Sequence, residues 1–184
     1  IDKNEQTRKN FLGIVPELKA LHKQTKHRPR VKVFEGQKGL KLVLEDSVLD
    51  NKEKQKRTFS SLGVSQIFSD GFEEYLQKRN SNAVKIKGIH LYSETVEKLI
   101  KQHTNKDDET VLIKTKKYHF PANISIYDDK ISYLSKEDGG VAILIENKEI
   151  AEAMKSLFDM AWEEAKRLSK ENKGSKKRAS GDTK

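Results

Sequence analysis

The feature that most constrains this fold is a change of rhythm along the chain. Strand and helix patterns alternate from Val31 to His103, four strand patterns then follow one another from Thr110 to Ile145, and a single amphipathic helix closes the series. Val31–Phe34 reads as a strand, Gly36–Glu45 as a helix carrying Leu40, Val43 and Leu44, and Arg57–Leu62 as a second strand. A helix is predicted over Ile67–Arg79, with Phe68, Phe72, Tyr75 and Leu76 on one side. A strand over Val84–Tyr92 and a helix capped by Ser93 and running to about His103 follow it. Alternation of this kind needs crossover connections, which predicts parallel strands. Of the later strands, Thr110–Thr115, Asn123–Tyr127, Ile131–Ser135 and Val141–Ile145, the last three are separated by turns at Asp128-Asp129 and Asp138-Gly139-Gly140, so antiparallel pairs are expected among them. Asn147 is placed to cap a last helix whose Ile150, Met154, Leu157, Phe158, Ala161, Trp162 and Ala165 form one apolar stripe that covers the sheet.

Both ends differ from this middle. In segment 1–28 Phe11, Ile14, Leu18 and Leu21 recur at helical spacing, interrupted by Pro16; the stripe is narrow and must be buried either against the domain body or against a second copy of itself, and a homodimer built wholly or partly on it is expected. Beyond Leu168, segment 169–184 has no large apolar residue and is expected to be a basic disordered tail. The formal net charge is +9, and its placement matters more than its size. Residues 1–32 carry nine Lys/Arg against three carboxylates and residues 166–184 carry eight against two, which leaves the domain between them mildly acidic. Lys173, Lys176, Lys177 and Arg178 would contact nucleic-acid phosphates without reading bases.

Several classes of function are disfavoured. With no cysteine there is no disulfide framework or thiolate metal site, which fits a reducing cytoplasm. The longest apolar run, Val141–Ile145, is far short of the roughly 20 residues that span a bilayer, so no membrane partner is expected. No phosphate-cradling glycine loop, nucleophile elbow or paired histidines at metal spacing occur, so no cofactor or metal is expected. His22, His27, His90, His103 and His119 are scattered and read as surface or structural residues. The run Asp107–Glu109 reads as a solvated loop, and Asp128-Asp129 as a hairpin turn.

The stretches Lys32–Leu40, Ile124–Ser135 and Ile145–Glu152, with the closing Phe158–Trp162, resemble the TrmB-like transcriptional regulators over about residues 8 to 168. In that family a winged helix and a linking helix precede a phospholipase D-like effector domain. The resemblance therefore implies an α/β fold: a phospholipase D-like mixed sheet flanked by helices over residues 29–168, preceded by the linker of residues 1–28. It also implies that DNA is bound mainly through a winged-helix domain that has no counterpart in this sequence.

The same resemblance tests catalysis. Active phospholipase D-type enzymes use His-x-Lys-x4-Asp, in which histidine attacks phosphorus, lysine neutralises phosphate oxygens and aspartate holds the imidazole. Setting the aspartate on Asp128 puts Pro121 at the nucleophile and Asn123 at the lysine, and no histidine elsewhere has lysine two places on. A non-catalytic effector domain that binds a small molecule, dimerises, or does both is the expectation, with a cleft near Pro121, Asn123 and Asp128 whose mouth Tyr118, His119 and Phe120 would line. The alternatives are direct, non-specific nucleic-acid binding through the basic ends and, less favoured, phosphodiester hydrolysis.

Overall fold

The computed structural model describes residues 29–60 and 71–179. The stripe Phe11, Ile14, Leu18 and Leu21, the start of the helix expected from Ile67, and residues 180–184 lie outside the described residues. The elements run β1 (Arg30–Glu35), α1 (Gly36–Leu49), β2 (Gln55–Ser60), α2 (Phe72–Ser81), β3 (Lys85–Leu91) and α3 (Glu94–His103). They continue as β4 (Glu109–Ile113), β5 (Asn123–Tyr127), β6 (Lys130–Ser135), β7 (Val141–Glu146) and α4 (Lys148–Ala179).

All seven strands form one sheet in the order β1-β7-β6-β5-β2-β3-β4. The strands β2, β3 and β4 are parallel neighbours, while β5, β6 and β7 form an antiparallel meander whose first strand, β5, pairs with β2. One expectation changes here: β1 does not join the parallel group but closes the opposite edge, antiparallel to β7. The reason lies in α1. Its buried Leu40, Val43, Leu44 and Val48 pack with Tyr127, Leu134 and Leu144 of the meander, so the crossover from β1 to β2 spans the meander instead of one neighbour.

The two faces are covered differently. Helices α1 and α2 lie over the face that carries Tyr127, Leu134 and Leu144. On the other face Phe158, Trp162 and Ala165 of α4 pack with Ile89, Ile113, Ile126 and Ile131. Phe158 meets Phe59 edge-on at 4.9 Å between ring centroids. Full burial of such a side chain contributes about 1.5 to 3 kcal/mol.

Local signals act as the sequence implied. The Ser93 side chain accepts from Val96 N at the start of α3, and Asn147 Oδ1 accepts from Ile150 N at 2.9 Å before α4. Helix α4 runs on to Ala179, well into the segment expected to be an irregular tail. That stretch holds no proline, is rich in Lys, and is joined to the packed part by the Arg167–Glu171 ion pair one turn apart, all of which favour helix. Among the described residues no helix is long and apolar enough to cross a membrane.

Candidate functional site

Strand β2 starts two residues earlier than its sequence pattern suggests, because it pairs with β3 from Gln55 opposite Lys85. That register puts Lys56, Thr58 and Ser60 on one face, all buried, and Arg57 and Phe59 on the other. Across the sheet Thr58 lies level with Ser125 on β5 and Gly88 on β3, Ser125 is level with Ser132, and Gly88 with Thr110. A row of small and polar residues thus crosses the middle of the sheet on its α1–α2 face. Where α2 and α3 roof this row, they leave a cavity of about 100 Å³ whose wall includes Lys56, Thr58, His90, Asn123, Phe72 and Val96.

Lys56 is the most unusual group in it. The residue is 2% exposed, yet among the described residues its Nζ donates only to neutral oxygens, Tyr75 OH at 2.6 Å and Ser47 Oγ at 3.4 Å, and it lies 4.9 Å from the Tyr75 ring centroid. Buried cations are ordinarily matched by an anion, because desolvating an unpaired charge costs several kcal/mol. The neighbouring Arg79 shows the ordinary solution. Its guanidinium pairs with the buried Asp108 carboxylate, which also accepts from Ile86 N and Asn105 N at 2.8 Å each. Asp108 is therefore a structural anchor and not part of a solvated acidic loop.

Two hydroxyls of the polar row across the sheet are under-satisfied. Thr58 Oγ1 and Ser132 Oγ are buried without a hydrogen-bond partner among the described residues. Asn123 is buried, and its Oδ1 accepts from Ser125 Oγ at 3.2 Å. His90 lies opposite Ser60, and burial pushes its imidazole down to about 4, so the ring is neutral at physiological pH.

The structure separates the residues that the motif comparison grouped. Asn123 opens β5 at the cavity wall, whereas Asp128 follows the far end of the same strand, at the turn into β6. Asp128 sits at φ 46°, and its carboxylate accepts from Lys52 N at 3.0 Å and Glu53 N at 2.9 Å, tying down the loop between α1 and β2. It does not face Asn123 across a cleft. Pro121 and His119 are exposed, while Tyr118 and Phe120 turn to the α4 face, with Phe120 5.5 Å from Phe59. Of the expected cleft only Asn123 lines the cavity. Lys56, Thr58 and His90 were not singled out from the sequence, because polar residues at alternate positions of a strand look like a solvent-facing edge. The available signal was the Asn123, Ser125 and Ser132 set on neighbouring strands, which repeats that polar alternation in a segment too apolar to be an edge.

Among the described residues no cluster of three or more His, Asp or Glu side chains is arranged to hold a metal ion. No family model matches the chain, and no curated protein sequence matches it. Among solved structures it is similar to TrmBL2, described as an archaeal chromatin protein with a novel mode of DNA binding, with 15% identity and a TM-score of 0.46 over 88% of this chain. The chain spans 63% of that protein. It is also similar to NucT from Helicobacter pylori, with 13% identity and a TM-score of 0.52 over 72% of this chain and 95% of NucT. The chain has the α/β fold expected of it, a seven-stranded mixed sheet flanked by helices that resembles that of NucT.

Proposed function

We propose that this chain is a non-catalytic sensor domain of a transcriptional regulator, which takes a small effector molecule into the cavity around Lys56, Thr58, His90 and Asn123. In this reading it works as a homodimer and acts on DNA through an attached winged-helix domain. The regulatory part rests on the TrmB-like segments of the sequence. The observation that carries the sensor part is the contrast between the two ends of the site. At the motif positions, Pro121 offers no nucleophile and Asn123 no cation, while the space beside Asn123 is lined by the Thr58 hydroxyl, buried without a partner among the described residues, and by the Lys56 ammonium, which meets only neutral acceptors there. Such under-satisfied groups in a concave site are the usual mark of a binding pocket.

Two measurements on the full chain test it. Incubation with a generic phosphodiester such as bis(4-nitrophenyl) phosphate is expected to give no turnover above background. A small-molecule screen by thermal shift is expected to give ligands whose effect is lost on cavity substitutions. Turnover that disappears in both Asn123→Ala and Asp128→Ala would overturn the reading.

A further inference from the structure

We infer that the cavity is built for a short aliphatic carboxylate, whose head group is held by the Lys56 ammonium and the Thr58 hydroxyl. The inference rests on the sensor reading above and names the ligand class of the same site.

Charge argues first. An ammonium has three N–H donors, and Lys56 Nζ has two neutral acceptors, one of them at the long distance of 3.4 Å. Arg79 is matched by Asp108, the one carboxylate in the cavity wall among the described residues, and the oxygens of Asp108 are already occupied by Arg79 and two backbone amides. His90 is held neutral by burial and adds no second cation. Among the described residues Lys56 is therefore the one permanently charged cation of the wall without an anion, and a monoanion balances it. A phosphate dianion would bring surplus negative charge into a largely apolar space, which is unfavourable.

Geometry argues next. Thr58 follows Lys56 by two residues on β2, so both side chains leave the same face of the strand. Thr58 is 4% exposed, and its Oγ1 has no partner among the described residues. A hydroxyl donates to a carboxylate oxygen as readily as an ammonium does, and the two together satisfy groups that the fold leaves unsatisfied. The opposite wall is Phe72, Leu76, Val96 and Leu99, which suits an alkyl remainder. About 100 Å³ is less than the roughly 150 Å³ apolar cavity that takes up benzene, which suits a ligand of a few heavy atoms.

The test compares propionate, its neutral analogue propionamide and inorganic phosphate on the full chain by calorimetric or NMR titration, with Lys56→Met and Thr58→Val alongside the parent. Circular dichroism checks each variant's fold, and Thr58→Val carries the test alone if Lys56→Met does not fold. Propionate is expected to bind in the millimolar range, roughly tenfold or more weakly in Lys56→Met and several-fold more weakly in Thr58→Val. Thr58→Val without ligand should melt no lower than the parent, since the hydroxyl it removes is unpartnered. Equal binding of propionate and propionamide would overturn the carboxylate assignment and leave the sensor reading standing. Lys56-dependent binding of phosphate in place of propionate would overturn it too. Failure of all three compounds, together with a thermal-shift screen that yields no cavity-dependent ligand, would overturn both.

Discussion

Gly88 and His90 share the cavity face of β3, and the bare Cα of the first makes room for the ring of the second: a Cβ on Gly88 would lie 2.4 Å from His90 Nε2. The same Cβ would also press on Thr58 Cγ2 at 3.3 Å. Gly88→Ala is therefore expected to destabilise the domain by about 1 to 3 kcal/mol, the usual effect of overpacking a filled site. Urea unfolding measures it. His90→Ala in the same background should recover most of the loss, because the two side chains compete for one space; additive losses would show that the clash is not with His90.

His90 also predicts a pH dependence. Its folded imidazole is pushed down to about 4 from an ordinary 6.5, so below pH 6.5 the unfolded chain takes up a proton that the native chain refuses. Stability from this group is complete above pH 6.5 and declines as pH falls towards 4, by about 3 kcal/mol at most. In His90→Gln that part of the acid decline should vanish. An unchanged pH profile in the variant would assign the decline to other groups.

Asp128 is expected to be a structural residue. Its carboxylate holds the amides of Lys52 and Glu53 from a left-handed backbone position, so Asp128→Ala loses both hydrogen bonds and places alanine at φ 46°. The cost should be about 2 kcal/mol. Asp128→Asn should cost less, because asparagine tolerates that conformation and keeps an acceptor. Equal losses in chemical denaturation would mean that the negative charge, not the geometry, matters. Neither variant should alter propionate binding, since Asp128 lies at the other end of β5 from Asn123.

Truncation after Leu168 is expected to separate DNA attraction from folding. The retained part of α4 keeps Phe158, Trp162 and Ala165 in the core, while Lys173, Lys176, Lys177 and Arg178 are removed. Affinity for duplex DNA should be weak, indifferent to sequence, steeply salt-dependent and largely lost on truncation. Sequence-selective binding that survives the truncation would place DNA reading in the folded body and displace the sensor reading.

The sequence alone determined most of the secondary structure. Strands β3 to β7 lie within a residue or two of their patterns, Ser93 and Asn147 cap the helices they were expected to cap, and the stripe of α4 faces the sheet, because these signals depend on local periodicity and hydrogen bonding within a few residues. Strand order was not legible in the same way. Whether α1 crosses one strand or the whole meander depends on which apolar surfaces meet, and Leu40 and Val43 look the same in either case. The site was least legible of all. Lys56, Thr58 and His90 alternate along their strands as solvent-facing residues would, and Asp108 sits in an acidic run that reads as loop. The packing of α1, α2 and α3 against the sheet removes Lys56, Thr58 and the Asp108 carboxylate from water, and removal from water is what makes a common lysine costly to leave without an anion.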